Sequence, residues 1–297
     1  MKLSFIVITY QRGALLQRCL ASIYAQEGLP PNYEVIVIDN GGDAVLLDPP
    51  TSAIQLHLES PTANLGVTGG RNHGMALAQG EYWVLIDDDA VWQTPNDVAY
   101  ILHAFESHSD LGALAIKSLY PDSQTPIRMD LPHPRKRYIQ ETTHDIEVPY
   151  FYGVAHALRA SAIKTIGNYP ERFFNYMEEI DLSYRLVDAG YHICFTPKVA
   201  VYHYQSHLGR PTQGANYWRQ NALNKSRMAW RLLPYPYPLT TLAIWSIVSL
   251  YKTRSLKLVW GIWRQLWQER DLLRQERHPL HHATIRYLKQ IGARLLY

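Results

Sequence analysis

Cysteine is nearly absent: the 297-residue chain carries two, Cys19 and Cys194. Two isolated thiols build neither a disulfide framework nor a zinc cluster. One falls on an apolar helical stripe and the other in a strand-like run, so both read as core residues of a protein in a reducing compartment. Low-complexity tracts are missing, and 47% hydrophobic content is enough for a full core. Long apolar runs are missing as well. The opening residues 1–10 hold an apolar stretch too short for a signal peptide, with no small-residue cleavage site after it, and read as a first strand. The longest apolar segment, residues 239–251, falls short of the roughly 20 residues that a spanning helix needs. No recognised nucleic-acid-binding module accompanies the basic residues, so nucleic acid is not expected as a partner.

What the chain does have is a strand that runs into three acids: Tyr82-Trp83-Val84-Leu85-Ile86, then Asp87-Asp88-Asp89. The aromatic and β-branched run reads as buried sheet. Three adjacent carboxylates at its end repel one another and are costly to bury without compensation. A hard divalent cation that also holds a phosphate would meet that need. In open α/β sheets ligands gather beyond the carboxyl ends of the strands, where these acids fall. The competing reading is an acidic turn followed by a helix cap.

The surrounding pattern is α/β. Residues 3–8 form a strand leading to Thr9-Tyr10-Gln11-Arg12. A helix follows with Leu15, Leu16, Cys19, Leu20 and Ile23 on one face. Residues 33–38 form a second strand, closed by Asp39-Asn40-Gly41-Gly42, which completes a βαβ unit with parallel strands. Asp39 is either a nucleoside acceptor or a turn-former before Gly41. A third strand is expected near 54–58. The glycine-rich stretch from Asn64 through Gly66, Gly69, Gly70, Arg71 and Gly74 opens a helix, and such a turn brings backbone N–H groups close to phosphate. It does not follow the first strand and its glycine spacing is wrong for a dinucleotide fingerprint, which argues against a dehydrogenase. A helix over 94–108 with Val98, Ile101, Leu102 and Phe105 inward, a strand over 112–116, a polar flap over 120–148 with the solvated triplet Arg135-Lys136-Arg137, a strand over 150–159 and a helix over 161–166 complete the middle of the chain.

A second acidic cluster, Glu178-Glu179-Ile180-Asp181, opens another helix. Asn175 and Glu178 have the spacing of a capping box, and Asp181 can pair with Arg185 along the helix. Glu179 is left as an acid suited to take a proton from a sugar hydroxyl. Strands are expected over 192–196 and 199–202, and His203, just after them, is either structural or a third metal ligand.

These motifs, in this order, resemble family 2 glycosyltransferases of the GT-A fold, and within them the bacterial rhamnosyltransferase-like branch that acts on cell-surface glycans. The resemblance rests on residues 6–12, 37–40, 64–74, 85–89, 166–169, Phe173-Phe174 and 178–185, about the first two thirds of the chain. It implies a nucleotide-diphospho-sugar transferase fold, a mostly parallel sheet flanked by helices, over residues 1–216. It also implies a donor site in which Thr9, Tyr10, Arg12, Asp39, Asn40, Gly66, Arg71, Asp87 and Asp88 hold a UDP-, dTDP- or GDP-sugar. Asp89, with Asp87 and His203, would bind Mn²⁺ or Mg²⁺. The family's base is an Asp after a Glu, and here that place holds Glu179, with Asp181 as the second candidate. The implied reaction is direct displacement with inversion onto a glycan or lipid-linked acceptor. The alternatives are a catalytically silent nucleotide-sugar-binding scaffold subunit and, with no lysine beside the glycine-rich turn, less favourably a nucleotidyltransferase.

The net charge of +3 conceals a division. From residue 217 on there are 14 Lys and Arg against 3 Asp and Glu, or +11, while the first 216 residues carry 15 against 23, or −8. Trp260, Trp263 and Trp267 recur at helical spacing among these basic residues. A basic amphipathic helix with Trp on one face lies in a membrane interface, so residues 217–297 are expected to form a helical extension that meets an anionic membrane on its cytoplasmic face. The other reading packs these aromatics back on the body.

Overall fold

The computed structural model describes residues 1–205 and 214–296. A nine-stranded mixed sheet forms its centre. In chain order the elements of the first half are β1 (Leu3–Thr9), α1 (Gly13–Tyr24), β2 (Glu34–Asp39), β3 (Gln55–Glu59), α2 (Gly66–Leu77), β4 (Tyr82–Asp87), β5 (Ala90–Trp92) and α3 (Asp97–Ser107). Then follow β6 (Leu111–Leu119), α4 (Lys136–Glu141), β7 (Ile146–Glu147), β8 (Ala155–Arg159), α5 (Ala160–Ile166), α6 (Glu178–Asp188) and β9 (His192–His203). The sheet order is β3-β2-β1-β4-β8-β6-β9-β5, with β7 beside β9. Strands β3, β2, β1 and β4 are parallel to one another, and β6 is parallel to β9; β8 is antiparallel to β4 and β6, and β5 and β7 are antiparallel to β9.

Strand alternation builds one apolar layer on each face of the sheet. Ile6, Ile36, Ile38, Trp83 and Leu85 join one cluster. Phe5, Val7, Val35, Val37, Val84 and Ile86 join the other, with the Leu16, Cys19, Leu20 and Ile23 stripe of α1 and the Val98, Ile101, Leu102 and Phe105 stripe of α3. Both thiols are free, Cys19 buried and Cys194 half-buried.

Three expectations change. Residues 150–154 leave the strand pattern: the Val154 carbonyl accepts the N–H of Asp87 at 2.8 Å at the end of the β4–β8 pairing, and the Gly153 carbonyl accepts from Arg71 Nη2 at 2.8 Å. The two strands expected over 192–202 are one, β9. Pro197 offers no N–H to a ladder, and the sheet absorbs it with a register shift opposite Ala115 and Lys117, Lys117 Nζ donating to the Pro197 carbonyl at 2.6 Å. The flap over 120–148 contains the short helix α4 and strand β7.

The remaining helices are α7 (Ala215–Leu232), α8 (Tyr237–Thr253), α9 (Leu256–Gln268), α10 (Arg270–Gln275) and α11 (His282–Gln290). Met228, Leu232, Ile285 and Leu288 join the same apolar cluster as the sheet, so α7 and α11 pack on the body. By contrast α8 and α9 meet α7 through a small cluster of their own around Ala222, Leu223 and Ile262. Trp260 and Trp267 are 70% and 69% exposed, while Trp263 is partly covered. Among the described residues no helix is long and apolar enough to cross a membrane.

Candidate active site

Register places the site. The pairs Thr9↔Asp39 and Ile8↔Asp87 align the carboxyl ends of β1, β2 and β4, and Ala90↔His203 carries Asp89 to the end of β9. Residues far apart in the chain thereby share one end of the sheet.

The aspartate triplet is compensated by arginines. Arg12 forks between Asp88 Oδ1 and Asp89 Oδ2, each at 2.8 Å, and Thr9 Oγ1 donates to Asp88 Oδ2 at 2.6 Å. Asp88 is buried, and burial pushes its pKa up to about 7 against the pull of Arg12 and Thr9. Arg12 is thus a partner of the acids. Tyr10 is half-buried at the end of β1.

Asp89 Oδ1 faces His203 Nε2 at 3.5 Å, and His203 Nδ1 lies 3.0 Å from Asp130 Oδ2. A carboxylate behind the far nitrogen of a histidine fixes its tautomer and turns the near nitrogen toward a ligand. A carboxylate suits a hard divalent cation such as Mg²⁺ or Mn²⁺, and an imidazole beside it suits the first-row divalent metals. Among the described residues no group of three or more His, Cys, Asp or Glu side chains could hold a metal by itself. Two protein donors fit a cation that takes its remaining oxygens from substrate phosphate and water.

Arg71 links the two acidic clusters. Its Nη2 donates to the Gly153 carbonyl at 2.8 Å and reaches Asp87 Oδ1 at 3.3 Å. Its Nη1 lies 3.4 Å from Glu179 and 3.5 Å from Glu178. Glu178 is sealed, with its pKa pushed up to about 8 by burial and by the charge of Glu179, whereas Glu179 keeps 14% of its side chain open. Asp181 is held by Arg185 Nε at 2.9 Å and by Arg231, so its carboxylate is committed to the packing of α6 against α7.

Other residues have local duties. Both oxygens of Asp39 accept backbone N–H groups, from Gly41 and Gly42 at 2.9 Å and from Ala44 at 2.7 Å, which is the turn-former role. Asn40 is bonded both ways to the start of α2, through Gly66 O at 3.1 Å and Leu65 N at 3.2 Å. The expected phosphate cradle at Gly66–Gly74 is a packing device. The N–H groups of Val67 and Thr68 are taken by the Phe174 carbonyl, and a Cβ at Gly70 or Gly74 would strike Ile8 at 3.1 Å or Ile6 at 2.5 Å. These glycines let α2 lie close on β1. Gly66 has φ +68°, and a Cβ there would meet the Phe174 ring at 2.5 Å.

The capping box expected at Asn175 does not form. Asn175 Oδ1 accepts the N–H of Tyr176, and α6 starts after Met177 with no side-chain cap. Phe174, Tyr176 and Met177 all have positive φ, 52°, 73° and 74°. Strain of this kind persists only where surroundings hold it. Here Asn224 of α7 supplies the hold: its Nδ2 lies 2.8–3.0 Å from the carbonyls of Phe173, Asn175 and Tyr176.

Sequence reasoning missed Asp130, Gly153, Asn224 and the pair His156–Tyr169. His156 is buried, its pKa pushed well down by burial, and its Nε2 lies 2.6 Å from the Tyr169 hydroxyl beside Arg71. Only Gly153, a glycine amid aromatic residues, carried a local signal of close approach.

The family model of glycosyl transferase family 2 matches residues 4–167. The N-acetylglucosaminyl-diphospho-decaprenol L-rhamnosyltransferase of Mycobacterium tuberculosis is 29% identical over 241 residues, covering 69% of this chain and 76% of that protein. Among solved structures, the mannosyltransferase PcManGT of Pyrobaculum calidifontis, in complex with GDP-Man and Mn²⁺, is similar with TM-score 0.58 and 16% identity over 98% of this chain and 84% of that one. TarS of S. aureus is similar with TM-score 0.56 and 18% identity over 86% of this chain, which spans 44% of TarS. The shared architecture is the GT-A fold.

Proposed function

The chain belongs to glycosyl transferase family 2, and on that premise we propose that it transfers a sugar, with inversion, from a nucleotide-sugar donor to a lipid-linked glycan in bacterial cell-surface polysaccharide synthesis. The observation that carries this reading is Arg71, whose guanidinium touches Asp87 at the donor end and Glu179 at the acceptor end. Asp87, Asp88, Arg12, Thr9 and Tyr10 line the donor side. Asp39, Asn40 and Gly66 shape the turns around it. Asp89 and His203 are the residues that would hold Mn²⁺ or Mg²⁺, with Asp87 at the diphosphate. When bound, such a cation neutralises the charge that develops on the leaving diphosphate.

Glu179 is the base. It is the glutamate of the pair that keeps access to the cleft, and it takes the acceptor hydroxyl proton while Arg71 fixes its orientation. Glu178, buried and uncharged below about pH 8, spares Arg71 a third full negative charge. Asp181, engaged by two arginines, serves the placement of α6. The relative's lipid-diphosphate sugar acceptor supports a lipid-linked acceptor here. The exposed Trp260 and Trp267 with the +11 of residues 217–297 support peripheral attachment to the inner face of the membrane.

The test is a panel of UDP-, dTDP- and GDP-sugars with a polyprenyl-diphosphate-linked acceptor, with and without Mn²⁺. Transfer should require one donor class and the cation. Glu179→Gln should lower kcat by about 10²–10⁴-fold with nucleotide binding kept. Nucleotide binding without transfer under any condition would instead support the silent scaffold subunit, with Arg12 permanently seated on Asp88 and Asp89.

A further inference from the structure

The helices α7 to α10 border an open cavity of about 500 Å³, remote in sequence from the aspartate triplet. Its walls are apolar: Trp230, Trp260, Trp263, Trp267, Leu242 and Leu266. Three arginines, Arg264, Arg270 and Arg274, stand among the lining residues; Arg270 and Arg274 also share the exposed Asp271, at 3.4 Å and 3.1 Å. Ser226 Oγ and Trp230 Nε1, both buried, have no hydrogen-bond partner among the described residues. An open apolar groove of this volume has the size and lining of a small-molecule site. Trp260 and Trp267 are left largely open, and each buries a large area on contact with an apolar ligand.

The charge pattern selects the occupant: aromatic walls take a hydrocarbon chain, and arginines at their edge take an anionic head. Leu273 lines both this cavity and a neighbouring one of about 210 Å³, bordered by Phe173 and Arg227. Phe173 begins the strained loop that leads into the Glu178–Glu179 helix. The cavity beside the groove thus borders the segment that carries the Glu178–Glu179 helix.

We infer that this groove holds the isoprenoid chain of a diphosphate-linked acceptor, one chain per protein, with Arg264, Arg270 and Arg274 meeting its diphosphate end. This rests on the lipid-linked acceptor reading above and goes beyond attachment to a membrane surface, because it assigns a stoichiometric lipid site that contributes to acceptor recognition.

The experiment uses the full chain and geranylgeranyl diphosphate below its micelle concentration, with inorganic diphosphate as the chain-free control. Binding is read by tryptophan fluorescence and native mass spectrometry. The expected result is a 1:1 complex with geranylgeranyl diphosphate and none with inorganic diphosphate at the same concentration. The double variant Trp260→Ala/Trp267→Ala removes exposed rings, so it should keep the wild-type Tm and weaken binding roughly tenfold or more. Arg270→Glu/Arg274→Glu should weaken it too. In transfer assays the aromatic variant should raise KM for a long-chain acceptor and leave kinetics with a short-chain acceptor, and the donor KM, unchanged.

Equal affinity for the two diphosphates would overturn the inference. So would variants that bind geranylgeranyl diphosphate like the wild type while losing only phosphatidylglycerol vesicles, or light scattering that shows the face buried between two copies. The binding arm needs no turnover. A protein that binds the lipid but transfers nothing refutes the proposed enzyme and leaves the groove standing. One that transfers equally well to long and short chains, with or without the tryptophans, refutes the groove alone.

Discussion

Arg71 and Glu179, 108 residues apart in the chain, stand 3.4 Å apart across the cleft. The guanidinium is buried, 3% exposed, and also faces Asp87 and Glu178. One cation therefore sets the spacing between Asp87 and the Glu178–Glu179 pair.

Gly153 is the backbone on which that cation rests. A Cβ at this position would fall 2.5 Å from Arg71 Nη2 and close to Glu179 Oε1. Gly153→Ala should displace both groups and lower kcat by about 10²-fold, the scale of a roughly 1 Å misplacement, with a small change in Tm. Wild-type kcat in this variant would mean that the Arg71–Glu179 geometry does not control the reaction.

Cation affinity should follow the order of donors. Asp89→Ala and His203→Ala should each abolish tight Mn²⁺ binding in the presence of nucleoside diphosphate. Asp130→Asn, acting through His203 Nδ1, should weaken it about 10–100-fold. Electron paramagnetic resonance of free Mn²⁺ measures this directly. An Asp130→Asn protein with unchanged affinity would remove Asp130 from the set.

Asn224→Asp replaces an amide donor with a carboxylate against three carbonyl oxygens. It should destabilise the protein by about 1–3 kcal/mol, the cost of buried unsatisfied polar groups, and slow transfer by loosening the loop at Phe174–Met177. Urea unfolding and kcat together check it. A loss of stability with full kcat would show that the loop's strain does not serve α6.

Glu178 gives a pH dependence of stability. Burial, reinforced by Glu179, raises its pKa from 4.5 to about 8. The folded state then holds a proton that the unfolded state has released, so stability falls as pH rises from about 4.5 to about 8 and levels off above. Glu178→Gln should remove this slope, its Tm gaining on the wild type through that window. A constant Tm difference between pH 5 and pH 8 would contradict the assignment.

The elements were legible where the signal is local. The alternation in β1, β2 and β4 and the stripes of α1 and α3 specify strands and helices because burial on one face imposes its period on neighbouring residues. The acid triplet announced itself for the same reason: charges at the end of an apolar strand conflict with burial within a few residues. Glycine was harder to read. The run at Gly66–Gly74 looks like a phosphate turn and serves close packing of α2 on β1, a distinction that depends on Ile6 and Ile8, some 60 residues earlier.

What the sequence determined by itself is the strands β1, β2 and β4, their parallel start and the two acidic clusters, since hydrophobic period and local charge are properties of adjacent residues. Tertiary structure alone decided which cation answers which acid. Arg12 meets Asp88 and Asp89, Arg71 bridges Asp87 to Glu179, Asp130 backs His203, and Asn224 braces the loop before α6. Apart from Arg71 and Asp87, 16 residues apart, those partners lie 48 to 108 residues apart, and their meeting depends on strand order and on the packing of α7, which no local pattern encodes.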